Sequence, residues 1–122
     1  MSHARQELGK SGEDLAVDAL TRRGYAIAAR RYRTACGEID IVAHDGETLV
    51  FVEVRRRSSA EHGTAAESVT PAKQRQVVRM AVDYLTRAGL YDRCPVRFDV
   101  VAIDDQPGGP PRILVIPDAF TA

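Results

Sequence analysis

Four charged side chains, Glu38, Asp40, Glu53 and Arg55, interrupt a segment that otherwise reads as two apolar strands, GEIDIVAHDGETLVFVEVRRR at 37–57. Asp45-Gly46 is a strong signal for a two-residue hairpin turn with φ > 0 at both central positions. Closing the chain there sets His44 against Glu47, Asp40 against Phe51 and Glu38 against Glu53. Opposed residues share a face and successive ones alternate. Glu38, Asp40, Glu53 and Arg55 are therefore expected on one face with Val42, Leu49 and Phe51, and Ile39, Ile41, Val50, Val52 and Val54 on the other. The run VFVEV is apolar enough for a strand buried on both sides, where a carboxylate is costly unless paired, hydrogen-bonded or bound to metal. Two carboxylates about 4 Å apart repel by about 4 kcal/mol at an effective dielectric of about 20. A positive charge is needed between Asp40 and Glu53, and either Arg55 or a divalent cation could supply it. Oxygen donors of this kind suit Mg²⁺ or Mn²⁺, which activate water and neutralise charge at a phosphodiester. Metal site and structural ion pairing both stay open at this level.

The elements that must position these groups follow from periodicity and punctuation. Apolar or small residues at Leu8, Gly12, Leu15, Ala16, Ala19 and Leu20 predict a helix from about Arg5 to Arg23, stopped by Gly24, with Glu13 on the flank of its apolar stripe. Residues 25–33 read as a strand with Tyr25, Ile27 and Ala29 on one face, and the hairpin follows. Residues 58–69 form a polar loop long enough to suggest mobility or function. Thr70-Pro71 predicts an N-cap and first helical position, with an apolar face of Val77, Val78, Ala81, Val82 and Leu85 and a stop at Gly89. Val96–Ile103 reads as a buried strand, 106–111 as a turn and Ile113–Ile116 as a short last strand. The expected order, α-β-β-β-α-β-β, is an α/β domain with a mixed central sheet flanked by helices.

A chain of 122 residues with 44% hydrophobic content fits one domain with its own core. No apolar run is long enough for a membrane span and the first twenty residues lack a signal core, so a cytoplasmic protein without a membrane partner is expected. Cys36 and Cys94 show no metal-finger spacing and read as separate thiols. No phosphate-binding loop, dinucleotide fingerprint or Ser/His/Asp signature is visible. The formal net charge is zero, which excludes bulk electrostatic attraction to nucleic acid, but distribution matters more than the sum. Fifteen of the seventeen basic residues are Arg, clustered at Arg22-Arg23, at Arg30, Arg31 and Arg33, and at Arg55, Arg56 and Arg57. Arg is suited to bidentate phosphate contact; solvated surface charge is the competing reading. Glu38 is expected at the rim, His44 exposed at the turn and His62 in the loop. Asp99, in the buried strand, faces either the same cleft or a nearby Arg.

Asp40, twelve intervening residues and then Glu53-Val54-Arg55 resemble the core motif of the PD-(D/E)XK nuclease superfamily. The helix carrying Glu13, GEIDIV, LVFVEVR with the following RSS, and the later T-P-x-K helix together resemble the YraN-like family of uncharacterised bacterial proteins over about 9–104. The resemblance implies a restriction-endonuclease-like fold similar to Holliday junction resolvases. It implies Asp40 and Glu53 as metal-binding acids, and Glu13 as a helix-borne acid reaching Mg²⁺ or Mn²⁺ directly or through water. Arg55 stands where the superfamily has Lys. A guanidinium cannot act as a general base but can stabilise developing charge. Lys73 could bring an ammonium from another direction, against the plainer reading of a solvent-facing first-turn Lys.

Three functions are consistent with these residues. The first is a Mg- or Mn-dependent endonuclease on branched or otherwise structured DNA, using Glu13, Asp40, Glu53 and Arg55, with Arg30, Arg31, Arg33, Arg56, Arg57 and Lys73 on the nucleic acid. The second is a nucleic-acid-binding module on the same fold without catalysis. The third is a protein-interaction domain whose partner orders the loop at 58–69. A homodimer is compatible with the first, because a four-way junction presents two related strands.

Overall fold

The computed structural model of the chain describes residues 11–58 and 65–122. The Ser11 hydroxyl accepts the Asp14 N–H at 3.1 Å and so caps helix α1, Gly12–Arg22. Strands β1 (Ala26–Thr34), β2 (Gly37–Asp45) and β3 (Thr48–Arg57) follow. A short 3₁₀ turn at Ala66–Ser68 leads to α2 (Pro71–Ala88), then β4 (Val96–Gln106) and β5 (Gly109–Phe120). α2 begins as its sequence dictates: Thr70 caps the Lys73 N–H at 3.2 Å, Pro71 occupies the first turn, and Gly89 closes the helix at φ 71°. The α-β-β-β-α-β-β order is the expected one, and it builds the five-stranded mixed sheet of a restriction-endonuclease-like fold.

The sheet runs β1-β2-β3-β4-β5. Only β3 and β4 are parallel; the other pairs are antiparallel. A parallel pair needs a long crossover, and α2 supplies it. On one face Leu15, Ala16 and Leu20 of α1 pack with Ile41, Ala43, Val50, Val52, Val101 and Ile103. On the other, Val77, Met80, Ala81 and Leu85 of α2 pack with Val42, Leu49, Phe51, Phe98 and Phe120. The central strand β3 is thus covered twice, and Val50, Phe51 and Val52 are all fully buried. The outer strand β5 carries Pro110, Pro111 and Pro117, which an edge tolerates because one side needs no N–H donor.

Several expectations change in detail. The hairpin closes later than Asp45-Gly46 implies: Asp45 pairs with Thr48 and His44 with Leu49, leaving Gly46 (φ 60°) and Glu47 as the connection. The shift is two residues, so faces are kept, but Asp40 comes level with Glu53 instead of Phe51. Ile39 packs on the α2 side with Val42, not on the α1 side with Ile41. On the neighbouring strand Arg30 pairs with Ile41 and Tyr32 with Ile39, while Arg31 between them adopts φ 53°. A second irregularity between Ile27 and Ala29 separates Ala29 from the face of Tyr25 and Ile27. Met80, not Val82, completes the buried stripe of α2; Val82 is 43% exposed. β5 is far longer than Ile113–Ile116. The loop at 58–69 is described only at Ser58 and from Ala65 on, where the 3₁₀ turn forms; His62, like Leu8 and the start of the first predicted helix, lies outside the described residues.

Asp99 resolves in favour of the arginine. It is completely buried, and its carboxylate receives Arg97 Nε at 2.8 Å, Arg97 Nη2 at 3.0 Å, the Tyr25 hydroxyl at 2.7 Å and the Asp118 N–H at 3.0 Å. These contacts pin the segment after α1 and the end of β5 to β4. Burial and the hydrogen bond to Asp99 push the Tyr25 phenol up to about 12. Removing the acid would take away the shared acceptor of the half-buried Arg97 guanidinium, the buried Tyr25 hydroxyl and the Asp118 N–H, leaving Arg97 only its ion pair with Asp45 and its bond to Tyr25. Asp99→Ala should therefore lower unfolding free energy by about 3–5 kcal/mol, measured by urea denaturation; a loss below about 1 kcal/mol would contradict this account of the network.

Candidate functional site

Pairing of β2 with β3 ends at Ile41–Val52. One step beyond, the Val54 N–H donates to Asp40 Oδ2 at 2.8 Å, so the carboxylate is held by main chain at the fork between the strands. Glu53 lies beside it at 3% exposure. Its carboxyl is pushed up to about 8, first by burial and then by the hydrogen bond and charge of Asp40; the charges of Lys73 and Arg55 pull the other way. The two cations do not offset burial and the neighbouring acid, so the net direction for Glu53 is upward. Glu53 Oε2 is buried without a hydrogen-bond partner, at 3.4 Å from Lys73 Nζ and 3.9 Å from Arg55 Nη2.

The Lys73 ammonium therefore faces Glu53 and not solvent, with its side chain 25% exposed. A cation in the first turn of a helix opposes the helix dipole, and here the glutamate offsets that cost. Position follows from local sequence. Thr70 and Pro71 fix where α2 starts, and Lys73 Nζ is 3.3 Å from Gln76 Oε1 one turn later. Gln76 Nε2 donates to the Cys36 carbonyl at 3.1 Å. Gly37 beside it sits at φ 146°, and a Cβ there would collide with the Gln76 amide. Gln76 thus ties α2 to the start of β2 and sets the ammonium; sequence reading missed it, although its three-residue offset from Lys73 was a visible signal.

The remaining site residues are distributed differently. Glu13 is 13% exposed and accepts Arg30 Nε at 2.6 Å and Arg31 Nε at 2.5 Å, while Arg30 Nη2 reaches Asp14 at 2.5 Å. Burial alone would raise the Glu13 pKa, but the hydrogen bonds and charges of Arg31 and Arg30 outweigh it and the net shift is downward. The structure thus brings Asp40, Glu53, Arg55 and Lys73 together and holds Glu13 in an arginine pair. Among the described residues no three His, Cys, Asp or Glu side chains form a metal-ligand set. Arg33 lies 3.4 Å from Glu38, which takes the expected rim position, and is 67% exposed. Arg56 is locked on Asp105 by contacts of 2.8 to 3.2 Å. Arg57 stands level with Asp104 in the parallel ladder. His44 and Cys36 are exposed.

Asp40 and Glu53 fit a hard divalent cation. Both offer oxygen, and one Glu53 oxygen is buried without a hydrogen bond.

The raised Glu53 pKa has a stability consequence with a definite sign. Between its ordinary 4.5 and about 8, the folded chain holds a proton that the unfolded chain releases. Stability associated with this group is fully present below pH 4.5 and is lost as pH rises towards 8. Glu53→Gln should flatten that part of the profile and raise stability at the alkaline end by about 1–3 kcal/mol, read from urea midpoints across the range. A mutant profile parallel to wild type would contradict the assignment.

The chain matches the model of "Uncharacterised protein family UPF0102" over residues 12–103. It is 48% identical over 115 residues to a UPF0102 protein of Geotalea uraniireducens, covering 94% of this chain and 90% of the relative. A UPF0102 protein of Geobacter sulfurreducens is 49% identical over 119 residues (98% and 92% covered), and one of Symbiobacterium thermophilum 46% identical over 117 (96% and 98%). No helix among the described residues is long and apolar enough to cross a membrane. The fold, the Asp40–Glu53 pair and these relatives agree: the chain belongs to the UPF0102, YraN-like family.

Proposed function

We propose that this protein is a metal-dependent DNA endonuclease acting on branched or otherwise structured DNA. The observation that carries this reading is buried Glu53 beside Asp40, flanked by the Lys73 ammonium and the Arg55 guanidinium. Two acids at the end of adjacent strands are expensive to place together without a chemical use, and nothing in the packing of β3 requires a carboxylate at Glu53.

Asp40 and Glu53 would hold Mg²⁺ or Mn²⁺, which when bound makes water a better nucleophile and neutralises charge on a phosphodiester. The chain's own groups supply the rest. The Val54 N–H orients Asp40. Lys73 occupies the role left open by Arg55: its ammonium, set by Gln76, can orient water or exchange a proton beside Glu53. Arg55 cannot be deprotonated and serves as a fixed positive charge for a phosphorane-like transition state. Arg30, Arg31 and Arg33 offer exposed guanidiniums for the DNA backbone, at 41%, 57% and 67% exposure. Arg56 is bound to Asp105 and contributes to that surface only if the pair opens.

A second reading, a nucleic-acid-binding module without catalysis, is favoured by Arg55 in the lysine position and by Glu13 lying with arginines instead of with Asp40 and Glu53. The two separate cleanly. Purified protein with Mn²⁺ should nick a four-way DNA junction, Glu53→Ala should abolish the nicking, and Lys73→Met should slow it by about 10²-fold. Equal cleavage by wild type and Glu53→Ala would attribute the activity to a contaminant. Salt-dependent binding without cleavage in any divalent metal would favour the binding module.

A further inference from the structure

A regular strand cannot present two consecutive side chains to one partner, because successive residues point to opposite faces. Arg30 and Arg31 do so: both Nε atoms meet the Glu13 carboxylate, one on each oxygen, at 2.6 and 2.5 Å. The backbone makes this possible by placing Arg31 at φ 53°, a left-handed conformation that costs a non-glycine residue about 1 kcal/mol. Two guanidiniums converging on one small anion, with the strand bent to achieve it, form a seat for a tetrahedral or planar oxyanion. The position between the Arg30–Ile41 and Tyr32–Ile39 pairs on β2 is Asp40, so the backbone of Arg31 lies level with one acid of the pair on the neighbouring strand.

We propose that Arg30 and Arg31 form a phosphate-binding seat that Glu13 occupies in the ligand-free chain, and that a phosphate of a nucleic-acid backbone displaces the Glu13 carboxylate from it. The identity of that phosphate rests on the nuclease or nucleic-acid-binding reading above; the seat itself does not. Glu13 acts as an internal competitor. Its side chain is mostly buried while both arginines are substantially exposed, so an incoming anion can reach the guanidiniums from solvent. Asp14 shares the load by holding the second nitrogen of Arg30. Exchange would release Glu13, the third acid of the constellation, only when substrate backbone is in place. Occupation of the seat reduces apparent phosphate affinity by the fraction of molecules in which it is free.

The test uses the full chain with metal chelated and two probes, inorganic pyrophosphate followed by calorimetry and a fluorescent four-way-junction oligonucleotide followed by anisotropy. Glu13→Gln removes the competing charge and should tighten pyrophosphate by about tenfold. Asp14→Asn, which relieves only Arg30, should give a smaller gain in the same direction. Arg31→Gly, whose new residue adopts the left-handed backbone freely, should weaken it. Circular dichroism confirms the fold of each variant. The same ordering with the oligonucleotide supports the proposal in full. The same ordering with pyrophosphate but no oligonucleotide binding supports the seat and removes the nucleic-acid reading. Pyrophosphate affinity unchanged or weakened by Glu13→Gln, or no pyrophosphate binding to any folded form, overturns the seat.

Discussion

The structure is organised around one carboxyl group in the wrong solvent. Glu53 sits in the central strand of a sheet covered on both faces, where neighbours Val50, Phe51 and Val52 are fully buried. Ionising an isolated carboxylate there costs several kcal/mol. The surroundings answer that cost by three routes at once: a hydrogen bond shared with Asp40, an ammonium from α2 and a guanidinium from its own strand. Each route constrains a different element. Sharing requires β2 and β3 to part after Ile41–Val52, the ammonium requires α2 to begin at Pro71, and the guanidinium requires β3 to continue in extended form past Glu53.

That dependence brings an ammonium to Glu53 from a second element, although its own strand carries Arg at position 55. Of the two lysines among seventeen basic residues, Lys73 is the one in the described part of the chain. In a composition so strongly biased to Arg, an ammonium beside Glu53 is a specific choice. Lys and Arg differ in shape and hydration, and here a compact ammonium and a planar guanidinium share the surroundings of one carboxylate.

The fold was legible where the signals were local. Thr70-Pro71 and Gly89 marked both ends of α2, the apolar character of VFVEV marked the twice-covered strand, and the element order followed. The shared face of Asp40, Glu53 and Arg55 also followed, since period two survives a two-residue register error. What the sequence did not carry were properties that arise between elements. Asp45-Gly46 resembles its turn signal whether the hairpin closes there or around Gly46 and Glu47, and only core packing chooses. The left-handed Arg31 has no sequence mark, because the residue type does not favour that conformation. Nor could alternation predict that Arg30 and Arg31 would converge on Glu13, a residue on a different element. Lys73 and Gln76 were ambiguous for the same reason: their meaning lies in what α2 is packed against.

The margins of the sheet carry a consequence for assembly. An exposed edge strand normally invites a further strand to pair with it, because it presents a row of free N–H and C=O groups at constant spacing. Here β1 loses that spacing twice, between Ile27 and Ala29 and again at Arg31, and β5 lacks donors at Pro110, Pro111 and Pro117. Neither border offers an incoming strand a long uninterrupted template. Edge-to-edge pairing is therefore disfavoured at both margins of the sheet.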